Sequence, residues 1–160
     1  MKKQKEVIAI TGGCGRIGSA LAEDLLKNGY KVLLGDINKA KLIKIKKKLD
    51  SQNIEIFIGD LTIKKNIDKF LSFGQKKFKK IDSAVCCSYP SSKGWGSKFE
   101  DLQENFLKED LNKQLGATII FCQRIMRYFS KIKKGNLILI SSVQGIQPPK
   151  FEHYRNLKIN

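Results

Sequence analysis

Histidine is almost missing from this sequence: His153 is the only one in 160 residues. The four cysteines, Cys14, Cys86, Cys87 and Cys122, form no Cys-x-x-Cys pair and stand near no histidine. That excludes the ligand spacing of a structural zinc site, so no metal is expected, and the thiols read as reduced and structural. Long apolar runs are absent as well. No stretch approaches the roughly 18 apolar residues needed to span a bilayer, and the basic start Met1-Lys2-Lys3-Gln4-Lys5 leads into an apolar run too short for a signal-peptide core. The expected location is the cytoplasm, with no membrane partner.

Acid is scarce, with 15 Asp+Glu against 31 Lys+Arg and a net charge of +16. A charge of this size suits a polyanionic partner. Its distribution argues otherwise. The lysines recur in Lys39 to Lys48, Lys64-Lys65, Lys76 to Lys80 and Lys131 to Lys134, each reading as the solvated face or end of a helix. No aromatic-interleaved basic motif accompanies them, so no dedicated nucleic-acid partner is expected.

What is present is a regular alternation. Val7 to Ile10 is a short apolar run ending in Thr11-Gly12-Gly13, the pattern of a strand buried on both faces that enters a tight turn. Ile17, Leu21, Leu25 and Leu26 follow at helical spacing, Asn28-Gly29 stops the helix, and Lys31 to Leu34 is the next strand. Helices are predicted from about Lys39 to Leu49, from about Lys64 to Phe73 and through Leu107 to Ser130. Strands are predicted at Ile54 to Ile58, Ser83 to Cys86 and Asn136 to Ile140. Strands separated by helices of this length imply right-handed crossovers and a parallel sheet covered on both faces. The class is α/β: a Rossmann-type, doubly wound parallel sheet of about five strands in the order 3-2-1-4-5, with residues 1–160 forming one domain. Two stretches break the rhythm, Ser88 to Ser97 and the tail from Gln147, and both follow carboxyl ends of strands, where ligands bind in open α/β sheets.

Gly13-Cys14-Gly15-Arg16-Ile17-Gly18 matches G-x-G-x-x-G between the first strand and the first helix. Gly13 is expected to permit the tight turn, Gly15 to let the backbone approach a pyrophosphate, and Gly18 to allow close helix packing, with the helix amino end facing the phosphates. Asp36, 18 residues after Gly18 at the end of the second strand, is placed to accept hydrogen bonds from both adenosine ribose hydroxyls. A carboxylate there repels a 2′-phosphate, which favours NAD over NADP. The other use of an aspartate at this place is as a turn or helix cap.

These residues resemble the short-chain dehydrogenase/reductase family. Thr11-Gly12-Gly13-Cys14-Gly15-Arg16-Ile17-Gly18 is similar to its Thr-Gly nucleotide motif, in the glycine spacing 12, 15, 18 of the extended branch. Gly59-Asp60-Leu61 is similar to the family's Asp-Leu after the third strand, which implies that Asp60 meets the adenine ring; a helix cap is the alternative role. Asp82 to Ser88 occupies the place of the Asn-Asn-Ala-Gly signature but carries Cys86 and Cys87 where asparagines stand in the family. Asn112 resembles the family's helix asparagine. Ser142, in Ile140-Ser141-Ser142-Val143-Gln144-Gly145, resembles its catalytic serine, whose hydroxyl holds the substrate carbonyl or alcohol. Ser88-Tyr89-Pro90 with its Gly/Trp loop, and Pro149 to Tyr154, look most like members associated with flagellin modification and surface-sugar biosynthesis.

In this family a tyrosine acts as general acid or base and a lysine four residues later lowers its pKa and holds the nicotinamide ribose. Tyr154 and Lys158 have that spacing, but Tyr154 lies 12 residues after Ser142 where 13 is commoner, and the chain ends two residues after Lys158. The alternatives are that Tyr154 and Lys158 are the pair, or that the pair comes later in a longer chain. The resemblance implies hydride transfer between NAD(P) and a secondary alcohol or ketone, a sugar derivative among the candidates. It also implies a chain that stops before the family's substrate-covering part, with a homo-oligomer or a complementing chain as partner. The competing expectations are a non-catalytic nucleotide-binding fragment or half of a split enzyme, and a basic surface-binding protein that uses the fold only as scaffold.

Overall fold

The fold follows from period-two burial in strands that lack a polar face. In the computed structural model, which describes residues 5–147, β1 (Val7–Thr11) is buried along its whole length. Its side chains divide between two cores. Val7 and Ala9 enter one with Leu33, Phe70, Ala84, Phe121 and Ile125, while Ile8 and Ile10 enter the other with Val32, Leu34, Leu42 and Val85. A strand with apolar groups on both faces is stable only in the middle of a covered parallel sheet.

The sheet is parallel throughout, in the order β3-β2-β1-β4-β5, with β2 at Lys31–Asp36, β3 at Ile54–Ile58, β4 at Ser83–Cys86 and β5 at Asn136–Leu139. The predicted class, strand number and order all hold. Helices α1 (Arg16–Lys27) and α2 (Lys39–Leu49) cover one face through Ala22 and Leu42. Helices α3 (Lys64–Phe78) and α5 (Ala117–Ile132) cover the other through Ile67, Phe70, Phe121 and Ile125, and the short α4 (Glu104–Asp110) precedes α5 in the chain.

Two polar ties close the ends of the strands. The buried Asp82 carboxylate accepts from the Val7 N–H at 2.9 Å and from Lys80 Nζ at 2.7 Å. The Tyr128 hydroxyl accepts from the Ile81 N–H at 2.9 Å, so α5 is pinned to the start of β4. A buried N–H left without such a partner is costly, which explains a polar tip on each otherwise apolar contact.

Two elements differ from the sequence expectation. Helix α3 runs five residues past Phe73 because Gly74 and Phe78 are buried against the sheet, whereas the intervening lysines look outward. The long helix predicted through Leu107 to Ser130 is interrupted by a π-helical stretch, Leu111–Gly116, between α4 and α5. Such widened turns redirect side chains and occur frequently at functional sites.

Candidate nucleotide cleft

A cleft of about 560 Å3 opens beyond the carboxyl ends of β1 to β4. Its floor is the turn after β1, with Gly12, Gly15, Arg16 and Ile17, and its walls are Gly35 to Ile37, Gly59 to Thr62, and Cys87 to Pro90. Here β1 and β4 are neighbours although β2 and β3 lie between them in sequence, so the cleft sits at the point where the strand order reverses.

The glycines have different reasons for being glycine than the motif alone suggests. Gly12 carries the positive φ of +65°, and a Cβ there would meet the Cys87 carbonyl at 2.6 Å and the Ser88 nitrogen at 2.7 Å. The tight turn is therefore made at Gly12, and the role expected of Gly13 is corrected: a Cβ on Gly13 would collide with the Leu34 side chain, so Gly13 permits close packing onto β2. Gly18 lets α1 lie on the turn, since its Cβ would run into the Gly12 carbonyl. At Gly15 an added Cβ would meet only the Gly12 oxygen, at 3.1 Å, and Gly15 lines the cleft, so a side chain there takes up ligand space. No side chain caps the first turn of α1, and no acid stands in it.

Asp36 is tied to this turn. Its Oδ2 accepts from the Cys14 N–H at 2.8 Å and its Oδ1 from the Asn38 N–H at 2.9 Å. The cap of α2 is Asn38, whose Oδ1 accepts from the Lys41 N–H, so Asp36 stands in the cleft wall and not at the helix end. Burial, together with the charge and hydrogen bonding of Asp36, pushes the Cys14 thiol up to about 11. Cys14 is thus a protonated packing group, as expected for a structural thiol.

Asp60 accepts from the Thr62 N–H at 2.9 Å and from the Thr62 hydroxyl at 2.6 Å, while its carbonyl accepts from Asn66. It orders the turn before α3, whose cap position is Ile63, and it lines the cleft. Leu61 packs where a Gly35 side chain would be. Where the family has asparagine, the Thr11 hydroxyl approaches Cys86 Sγ at 3.5 Å, and the Cys87 N–H donates to the Thr11 carbonyl at 3.2 Å. Burial and the neighbouring Cys86 hold the Cys87 thiol above its ordinary value.

The residues expected to perform catalysis are not gathered at this cleft among the described residues. Ser142 is exposed just beyond β5, and its Oγ accepts from the Gln144 N–H at 3.2 Å. Asn112 lies in the π-helical stretch and lines a separate cavity with Thr62, Lys113 and Gly116. Tyr154 and Lys158 lie outside the described residues. The composition of the Ser88 to Ser97 loop marks it out in the sequence, but its anchor is not visible there. Buried Asp110 of α4 accepts from the Ser92 N–H at 2.6 Å and the Ser92 hydroxyl at 2.9 Å, a pairing across 18 residues that no local motif announces. Among the described residues no group of His, Cys, Asp and Glu could hold a metal ion, and no helix is long and apolar enough to cross a membrane.

A five-stranded parallel sheet of this order, with a glycine turn and an acid at the switch point, defines a Rossmann-type fold. The family profile described as short chain dehydrogenase matches residues 6–155, and the chain belongs to that family. It is 34% identical over 157 residues to the post-translational flagellin modification protein A of Campylobacter coli, covering 96% of this chain and 61% of that protein. The 3-ketoacyl-(acyl-carrier-protein) reductase of Brucella melitensis, solved with NADH, superposes with a TM-score of 0.79 at 16% identity, over 92% of this chain and 62% of the other. An NAD+-bound xylitol dehydrogenase superposes with a TM-score of 0.80 at 21% identity, over 92% and 57%. The chain therefore spans about three-fifths of the proteins it matches.

Proposed function

We propose that this chain is the nucleotide-binding part of an NAD-dependent oxidoreductase that interconverts a secondary alcohol and a ketone, with a sugar derivative among the substrates to test first. The observation that carries the reading is Asp36 in the cleft wall beside the Gly12-to-Gly15 turn. The residues present fit a dinucleotide. Gly15 leaves backbone exposed on the cleft floor, and the uncapped first turn of α1 offers N–H groups to a pyrophosphate. Each Asp36 oxygen accepts one backbone N–H and keeps a lone pair for a ribose hydroxyl. That carboxylate disfavours a 2′-phosphate, so NAD is preferred over NADP.

Bound nicotinamide supplies hydride acceptance and donation. The chain supplies position: Asp60 and Leu61 flank the adenine, Arg16 and Ile17 border the phosphates, and Ser142 Oγ holds the substrate oxygen. Tyr154 is assigned the proton transfer and Lys158 the lowering of its pKa, with Asn112 supporting the same set. Residues 1–160 act as one domain in this reading, in the cytoplasm, as a homo-oligomer or with a complementing chain.

The test is turnover: NADH consumption with a panel of small ketones and keto sugars, in the chain and in Ser142→Ala. Ketone-dependent consumption that falls at least about a hundredfold in the variant supports the assignment. The exposure of Ser142 and its bond to the Gln144 N–H favour a second reading, a nucleotide-binding module without turnover of its own. NADH binding with no consumption selects that one.

A further inference from the structure

Tyr89 lines the nucleotide cleft from the β4 side, and 63% of it is exposed. Trp95, itself 43% exposed, packs edge-to-face on it at a centroid distance of 5.2 Å. Neither ring belongs to either core of the sheet. Two large rings left in solvent contribute little to folding, and aromatic surface beside a cleft is the usual material of a ligand wall.

The loop that carries these rings is firmly held. Asp110 of α4 is buried and accepts from both the N–H and the hydroxyl of Ser92. The Gly94 N–H donates to the Ser92 hydroxyl at 3.2 Å, the Trp95 N–H to the Ser92 carbonyl at 3.3 Å, and the Ser97 hydroxyl to the Gly94 carbonyl at 2.7 Å. A Cβ on Gly94 would collide with the Phe106 ring, so the turn lies directly on α4. These bonds fix Trp95, and Trp95 fixes the Tyr89 ring at the cleft. Burial, and then the Asp110 charge, hold the Tyr89 hydroxyl above its ordinary value, so the ring stays neutral through neutral pH.

The place of the ring in the sheet says which part of a ligand it meets. Gly35 of β2 and Cys86 of β4 both lie level with Thr11 of β1. Asp36 and Tyr89 therefore leave the sheet on opposite sides of β1, from strands two spacings or about 10 Å apart. A dinucleotide with its adenosine ribose at Asp36 crosses the reversal of strand order and has its other half on the β4 side. We propose that the Tyr89 ring is the wall on which the nicotinamide half of the dinucleotide rests, and that Trp95 is a positioning residue that holds this ring in place. This role rests on the reading of the cleft as a dinucleotide site.

NADH and ADP are titrated by calorimetry into the full chain and into Tyr89→Ala, Tyr89→Phe and Trp95→Ala. ADP carries the adenosine and two phosphates without the nicotinamide half. Tyr89→Ala is expected to weaken NADH binding at least about fivefold, the low end for an aromatic ring stacked on a base, and to leave ADP within about twofold. Tyr89→Phe keeps the ring and is expected to bind NADH like the parent. Trp95→Ala is expected to weaken NADH in the parent and to add nothing in a chain that already carries Tyr89→Ala, as a residue acting through the ring must. An equal loss for ADP and NADH in Tyr89→Ala overturns the proposal, as does a further loss when Trp95→Ala is added to it. NADH binding that depends on Asp36 but not on Tyr89 overturns this role and leaves the nucleotide reading standing. A folded parent chain that binds neither ligand removes the dinucleotide site and this role with it.

Discussion

The Asp36 carboxylate accepts a hydrogen bond from the Cys14 N–H at 2.8 Å, which joins the end of β2 to the glycine turn after β1. One side chain thereby shapes the cleft floor and supplies its acid. Asp36→Ala leaves the Cys14 N–H without that acceptor and removes the acceptor proposed for a ribose. Without nucleotide, it is expected to lower unfolding stability by about 1–2 kcal/mol, read from urea denaturation. Asp36→Asn, which retains an acceptor oxygen, is expected to lose less than half of that.

Gly12→Ala is expected to be the most damaging single change in the turn. It combines a positive φ with overlap on the Cys87 carbonyl, and neither can relax without moving β4. A loss of about 2–4 kcal/mol follows from strain and overpacking together. Gly145→Ala is the control, because nothing lies within 4 Å of its added methyl group. It is expected to stay within about 0.5 kcal/mol of the parent. Thermal or urea melts of the three proteins check the order.

Tyr128→Phe removes the acceptor of the buried Ile81 N–H while keeping the ring in the core. The expected cost is about 1–3 kcal/mol, the penalty of an unsatisfied buried donor. Amide exchange at Ile81, measured by NMR, is expected to accelerate in the variant, whereas exchange at the centre of β1 follows only the global change.

Cys14 gives a pH signature. Its thiol is pushed up to about 11 from an ordinary value of 9.0, so the folded state holds the proton more tightly than the unfolded state. The stabilisation is complete below pH 9 and is lost as pH rises from 9 through about 11. Cys14→Ser, judged by urea midpoints over that range, is expected to show a shallower alkaline decline than the parent. Iodoacetamide at neutral pH is expected to leave Cys14 of the native chain unmodified.

Much of this was legible in the sequence, for physical reasons. Strands such as Val7–Ile10 have no polar face, so a doubly covered parallel sheet was the available solution, and its order came out as expected. The cleft was marked by glycines and an acid at strand ends. Which glycine takes the positive φ was not legible, because residues 12 to 18 fit two overlapping glycine patterns, and contact with Cys87, far along the chain, decides between them. The extension of α3 was hidden by lysines that mask the burial of Phe78. The π-helical stretch and the Ser92–Asp110 tie depend on tertiary contacts that periodicity does not report.

Calorimetric titration of the purified chain with NADH and NADPH, repeated in Asp36→Ala, is the decisive experiment for the NAD site proposed at Asp36. The predicted result is saturable one-to-one NADH binding, weaker NADPH binding, and about a ten- to hundredfold loss of NADH affinity in the variant, the value of hydrogen bonds to a charged acceptor. A folded chain that takes up neither nucleotide, or an Asp36→Ala variant that binds NADH as tightly as the parent, contradicts it.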